Sequence, residues 1–219
     1  MNLKDGTTAV YRIVHLDNLE LYLHRQALHA PNHTPADGRI WRATHDTSIQ
    51  GKRSTRPVPV RPQGVLLDYV PFYFGARSPM LLRLGTGRVE GYTEGQEPLV
   101  TLVASAQGLV AAGLACVFTD GQGLVGYTRF YDDLAHLADL DWSVIDADQW
   151  SRTEADPDRQ RKKQAEFLVH REVPWGLVLG IAVCNDTARS RVETLLASFD
   201  PGLRRPVAIR PKLYYGGPA

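Results

Sequence analysis

The chain has 219 residues, enough for one domain with a full core, and its 25 Lys and Arg against 24 Asp and Glu leave a net charge of +1. That near-neutral balance excludes the global basicity of a general nucleic-acid binder, so any polyanion site must be a local patch. Cys116 and Cys184 both sit in apolar runs, which argues against a disulfide framework or a metal knuckle; no leader-like segment and no apolar run of about twenty residues is present, which predicts a cytoplasmic protein without a membrane span.

In chain order, residues 8–15, TAVYRIVH, read as a first strand. Asp17 or Asn18 is placed to cap a helix that runs to about Leu28, with Leu19, Leu21, Leu23 and Leu28 on its apolar side. A strand feeding directly into a helix N-terminus is a common place to hold an anion or the polar edge of a ligand. Residues 30–63 form a long polar stretch rich in Pro and Thr, with Arg39, Arg42, Lys52, Arg53, Arg56 and Arg61 against Asp37 and Asp46. Loops of this length inside one domain are either functional or disordered. Two readings stay open: a solvated mobile loop, or a basic lid that a ligand's phosphates would order.

Residues 64–83 concentrate Tyr69, Phe72, Tyr73 and Phe74, interrupted by Pro71 and followed by Gly75, Arg77, Ser78 and Pro79. The cluster reads as core or as a platform for a planar ring, and its Pro and Gly punctuation argues against a simple strand. From residue 97 the pattern becomes regular. Residues 99–104 read as a buried strand, Ser105 caps a helix that Gly113 ends, and residues 115–119 form another strand before the turn Asp120-Gly121-Gln122-Gly123. Residues 132–140 and 187–199 read as helices, and 180–184 and 207–215 as strands. Strands and helices mix without steady βαβ alternation, so the fold class is α+β.

Between these lies the segment that organises the reading, 159–175. It opens on four cations, Arg159, Arg161, Lys162 and Lys163, and enters an apolar strand, with Glu166 at its mouth, that Pro174 ends. A carboxylate at the mouth of a buried strand is costly unless a cation or a donor meets it. Glu166 is either a surface residue at a strand start or a catalytic carboxylate facing a developing cation, and the segment alone leaves both open. There is no Walker A loop, no HExxH, no CxxC and no GxSxG, and the seven histidines lack metal-like spacing. An acid, a basic lid, an aromatic platform and a strand entering a helix suit a nucleotide whose glycosidic bond breaks through an oxocarbenium-like state.

Across almost its whole length the chain resembles the DarT family of DNA ADP-ribosyltransferase toxins. The resemblance is carried by YRIVHLDNL (11–19), IQGKR (49–53), DYVPFYF (68–74) with RSPML (77–81), GQEP (95–98), VFTD (117–120) and KQAEFLV (163–169). It implies an ADP-ribosyltransferase-like α+β fold over a single domain, 1–219: a mixed β-sheet core, flanking helices and a long basic NAD-binding loop. It further implies NAD as co-substrate, no metal, single-stranded DNA as acceptor with thymidine as the base and guanine as alternative, and a macrodomain antitoxin as partner. By the same carry-over Glu166 is the catalytic glutamate and Arg53 contacts NAD and assists loss of the base's proton. Arg12, Ile13 and Val14 hold nicotinamide along the strand backbone, Leu21 and His29 line the cofactor, Tyr73 packs on it, and residues from about 122 to 166 present DNA. Relatives commonly carry a histidine where this chain has Arg12, which cannot act as a neutral acceptor. An acceptor other than DNA, or a catalytically silent NAD- or single-strand-binding module, are the competing readings.

Overall fold

The computed structural model describes residues 3–44 and 47–216. AVYRIVH is apolar at nearly every position because its strand, β1 (Ala9–His15), is buried in the middle of a large sheet. It leads into helix α1 (Asp17–Arg25) and strand β2 (Ala27–His29), and then into the long loop that contains helix α2 (Thr47–Arg53). Strand β3 (Tyr69–Tyr73), helix α3 (Pro79–Gly85), strand β4 (Leu99–Ser105), helix α4 (Ala106–Ala111) and strands β5 (Cys116–Thr119) and β6 (Phe130–Tyr131) follow. Short helices α5 (Trp142–Ile145) and α6 (Arg159–Lys162) precede strands β7 (Glu166–His170) and β8 (Glu172–Pro174). The chain closes with β9 (Gly180–Val183), α7 (Asp186–Ala197) and β10 (Val207–Ile209). Eight strands form one mixed sheet in the order β10-β9-β4-β1-β3-β7-β5-β6, with β9 and β10 parallel and the other pairs antiparallel. The two remaining strands, β2 and β8, pair beside it. The core runs along the sheet, with Trp175, Phe72, Phe74, Phe118 and Phe167 fully buried.

The expected elements are corrected at points that have physical causes. The first helix stops at Arg25, because Gln26 turns left-handed (φ 51°) and the next residues pair as β2 with β8. Neither Asp17 nor Asn18 caps it: Leu16 stands at the cap position, Asp17 pairs with Arg42, and the Asn18 amide is committed to Arg42's backbone. Pro71 does not prevent a strand. Phe74 N–H donates to Ala165 O on the β7 side, so by the two-residue period the imide of Pro71 faces the opposite side, where no ladder bond is asked of it. The segment after Glu166 is two strands, because Arg171 adopts φ 69° and hands the chain from the large sheet to β8. Residues 134–139 wind as a 3-10 helix capped by Asp133, and the last strand ends at Ile209, before Pro211.

Candidate active site

The site lies where two neighbouring strands part. β1 pairs with β4 along its full length, from Ala9 opposite Ser105 to His15 opposite Leu99. With β3 it makes a single bridge, Tyr11 opposite Tyr73. Beyond that bridge, the backbone of Ile13 turns away from β4 and faces, unpaired, a cleft of about 710 Å³, a volume that fits a ligand of dinucleotide class. Arg12 spans the parting, its Nη1 donating to Pro71 O at 2.8 Å, and its guanidinium lies 5.9 Å from the Trp41 ring centroid.

Glu166 stands at the floor, in register with Tyr73 across β3 and β7, and only 2% exposed. Its backbone is fixed by Thr119, whose Oγ1 accepts from Glu166 N at 3.0 Å. Its side chain meets a cation from a distant part of the chain. Arg53, at the end of α2, donates through Nη1 to Oε1 at 3.2 Å and holds Nη2 3.0 Å from Oε2. Oε1 also accepts from Gly123 N at 3.0 Å. Oε1 is therefore occupied, whereas Oε2 has an ion-pair contact outside hydrogen-bond geometry and keeps acceptor capacity. Two buried donors at the cleft, Arg12 Nε and Arg53 Nη2, lack a hydrogen-bond partner. Buried donors without partners are rare and costly, which marks this cleft as built for a ligand rich in acceptors.

The electrostatics follow from this pairing. Burial pulls the Arg53 guanidinium down, but Glu166's charge and hydrogen bond outweigh it, and the net shift is upward. Burial, and then the Glu166 charge, push the Tyr73 phenol up to about 12, so it is a neutral hydroxyl beside the carboxylate. Burial lowers His29, partly opposed by Glu172 at 3.2 Å, so its ring favours the neutral form.

The predicted site residues distribute as follows. Glu166, Arg53, Arg12, Ile13, His29 and Tyr73 all line the cleft. Val14 points its side chain into the core and its backbone pairs with Val100 of β4, as that of Arg12 does with Leu102, so of the three strand residues only Ile13 turns its backbone to the cleft. Leu21 is buried on α1, and its helix sends Tyr22 and Arg25 to the cleft wall instead.

The long loop is pinned by partners that its own composition does not contain. Arg25 makes a two-point pair with Asp37 (Nε to Oδ2 2.7 Å, Nη2 to Oδ1 2.6 Å). The Asn18 amide both accepts from Arg42 N (2.8 Å) and donates to Arg42 O (2.9 Å), and Arg42 pairs with Asp17 and Glu94. Trp41 packs on Tyr22 with centroids 5.4 Å apart. His45 and Asp46 lie outside the described residues.

The cationic run before Glu166 is spent on structure. Arg161 is held by Asp120 and Asp158, and Lys162 by Asp141 and Asp156. Lys163, 2% exposed, donates to Ile145 O (2.6 Å) and Ala147 O (2.7 Å), and burial lowers its ammonium to about 8.

Sequence reasoning missed Gly123, Thr119 and Arg56. Arg56 fastens the turn that carries Gly123, donating to Gly123 O at 3.0 Å and Val125 O at 3.1 Å. The available signal was the glycine pair in DGQG. A Cβ at Gly121 would lie 2.4 Å from Arg161 Nη1, and one at Gly123 would lie 3.2 Å from Glu166 Oε1. These are close-approach glycines, not merely turn formers. Among the described residues no group of three or more His, Cys, Asp or Glu is placed to hold a metal, and no helix is long and apolar enough to cross a membrane.

Comparison with known proteins fits this geometry. A family model described as ssDNA thymidine ADP-ribosyltransferase, DarT, matches residues 11–215. A DNA ADP-ribosyl transferase of Thermus sp. (strain 2.9) is 46% identical over 209 residues, covering 95% of this chain and 96% of that protein. A DNA ADP-ribosyl transferase of Escherichia coli O127:H6 is 33% identical over 214 residues, with 98% and 96% covered. Among solved structures, Thermus sp. 2.9 DarT in complex with ADP-ribosylated ssDNA superposes with TM-score 0.89 at 42% identity, over 98% of this chain and 99% of that one. The same protein in complex with NAD+ gives TM-score 0.85 at 40% identity, over 98% and 100%.

Proposed function

The chain belongs to the DarT family of single-stranded-DNA thymidine ADP-ribosyltransferases, and on that premise we propose that it transfers ADP-ribose from NAD to a thymidine base of single-stranded DNA, releasing nicotinamide. The observation that carries this reading is the Glu166–Arg53 pair, shut from water at the floor of a cleft beneath the open edge of β1.

The residues divide the work by their chemistry. The N–H and C=O of Ile13, turned away from β4 and left unpaired, offer a donor and an acceptor to the nicotinamide amide, and the donors of Arg12 and Arg53 that lack partners suit the acceptors of the dinucleotide. Tyr73, neutral and beside the carboxylate, packs against the ring. As the bond between nicotinamide and ribose breaks, positive charge builds on the sugar, and Glu166 stabilises it through Oε2, with Oε1 steadied by Gly123 and Arg53. Arg53 is a poor proton acceptor, because its partner carboxylate raises its pKa. Its part is therefore electrostatic, holding and orienting Glu166, and Oε2 is the atom of the pair with capacity to receive the proton that the attacking base gives up.

The whole chain acts as one catalytic domain in the cytoplasm, countered by a macrodomain antitoxin that removes the mark. The family resemblance supports both statements. The assay is labelled NAD incubated with single-stranded DNA, duplex DNA, RNA and protein. Label on single-stranded DNA, with mass spectrometry placing it on thymidine, is the expected result. Label on guanosine, RNA or protein would move the acceptor, and no label with NAD still bound would leave a binding module. Label should fall with salt, because with near-zero net charge DNA must be held by few local cations. Duplex should be a poor substrate, since its base must first be flipped out.

A further inference from the structure

Four large hydrophobic side chains are exposed among the described residues, Ile40, Val110, Tyr127 and Leu179, and of these Tyr127 alone lines the catalytic cleft. Its ring is 69% exposed yet fixed in place. The hydroxyl donates to Asp158 Oδ1 at 3.0 Å, and the Arg161 guanidinium lies 5.0 Å from the ring centroid. Arg161 is itself immobilised, its Nε 2.9 Å from Asp158 Oδ1, its Nη1 2.6 Å from Asp120 Oδ1 and its Nη2 2.7 Å from Asp158 Oδ2. The loop that carries the ring is two successive turns, closed by Val125 N to Gln122 O and Thr128 N to Val125 O, both 3.1 Å. The same loop supplies Gly123 N to the catalytic carboxylate. A solvent-exposed aromatic plane that is anchored by its hydroxyl and backed by a locked cation loses little freedom when a flat partner covers it.

We propose that Tyr127 is a stacking platform for an unpaired nucleobase of the single-stranded DNA, specifically a nucleotide adjoining the one that is modified. The target base must reach the floor, where Glu166 is 2% exposed, whereas Tyr127 stands at the open rim of the same cleft, so a base on its ring belongs to a neighbour in the strand. Tyr127 thereby acts as a positioning residue, registering the strand at the rim of the cleft. Because stacking accepts any base with a π-face, the platform itself contributes affinity and register more than sequence choice.

The inference rests on DNA being the acceptor, so its test has one arm that needs no transfer. Oligonucleotides carrying 5-iododeoxyuridine at each position in turn are irradiated with wild-type protein in the absence of NAD, and the crosslinked peptide is identified by mass spectrometry. A crosslink to Tyr127 from a position next to the modified thymidine is expected. Crosslinks mapping only elsewhere would overturn the proposal, whatever the transfer assay shows. In the second arm, Tyr127→Leu should raise the KM for the oligonucleotide on the order of 5- to 150-fold, the range set by alanine-type loss of one base–aromatic stack. At saturating oligonucleotide its kcat should change much less. Tyr127→Phe, which keeps the plane and loses the Asp158 bond, should recover most of the affinity. An unchanged KM in Tyr127→Leu, or Phe as defective as Leu, would refute stacking as the role.

Discussion

Glu166→Gln should separate what the carboxylate does for the reaction from what it does for the fold. The substitution is nearly isosteric and keeps an oxygen for Gly123 N–H, so it removes the charge and little else. Loss of a preorganised electrostatic contact of this kind costs about 10²–10³ in rate. It also strands Arg53, whose side chain is 11% exposed against 3% for Glu166, without its counter-ion. Breaking a buried pair from one side costs about 3–5 kcal/mol. The cleft is open to water at its mouth, so the lower end applies, about 3 kcal/mol, or roughly 6–12 °C in Tm for a domain of this size. Arg53→Met should cost a similar amount from the other side, leaving a carboxylate with one backbone donor. The double variant Arg53→Met/Glu166→Gln removes both charges and should return to within about 1 kcal/mol of wild type, because replacing both members of a buried pair is often neutral. Activity should not return with it. Thermal or urea unfolding of the four proteins, with transfer to labelled oligonucleotide measured in parallel, completes the cycle. If the double variant were as unstable as the sum of the singles, the pair would not be coupled, and the account of Arg53 as Glu166's electrostatic partner would fail.

Three further outcomes follow from the same geometry. Arg53→Lys keeps the charge but cannot span Oε1 and Oε2 with a planar fork, so NAD binding should persist while transfer drops about tenfold or more; retention of both would make Arg53 a simple cationic clamp. In hydrogen exchange without ligand, the amides of residues 34–41 should exchange fast and Arg42, bonded to Asn18, slowly; NAD should slow the former, Asn18→Ala should release the latter, and equal protection with and without NAD would make the stretch a plain structured loop. Lys163, lowered by burial to about 8 from 10.5, is protonated in the unfolded chain and neutral in the folded one between those values, so its burial penalty is relieved as pH rises through that window. The stability difference between wild type and Lys163→Met should shift towards wild type by up to about 3 kcal/mol from pH 8 to 10.5, and a flat difference would show that the two carbonyls keep Lys163 charged.

Most of the sheet was legible because its strands are marked locally. β1, β4, β5 and β9 are apolar runs bounded by turns or caps, and Ser105 caps α4 through a 3.1 Å bond from Gly108 N. What failed were features fixed by partners distant in sequence. Nothing local to Asn18 says that its amide will hold Arg42 instead of capping a helix, and nothing near Pro71 says which strand its imide will face. The basic stretch read as a lid without anchors because its acids, Asp17, Glu94 and Glu166, lie outside it. The run of four cations before Glu166 is equally silent about its partners, since Asp120 and Asp141, which help hold Arg161 and Lys162, lie 41 and 21 residues upstream of them. The roles proposed for the site residues rest on family motifs; periodicity alone left Glu166 divided between a surface and a catalytic role.

The partnering of Glu166 explains why the site sits at this seam and not at an outer edge of the sheet. A carboxylate that stabilises charge, the role proposed for Glu166, needs a dry floor, and a strand start in the sheet interior supplies one, but a substrate must still reach it. The parting of β1 from β3 after the Tyr11–Tyr73 bridge provides both. Tyr73 closes the seam on Glu166's flank, in register with it, while Ile13 of β1 leaves its N–H and C=O unpaired towards the cleft. Unpaired strand backbone inside a fold is expensive unless a ligand or a side chain satisfies it. Pro71 reduces that cost on the β3 side by presenting no N–H, and its carbonyl is met by Arg12. Arg12 thus spans the gap on the side of β3, which a neutral imidazole at the same position could do only with a single donor and a shorter reach. The arginine at this position answers the structural demand of the gap, and its consequence on the ligand side is the Arg12 Nε that is left without a partner.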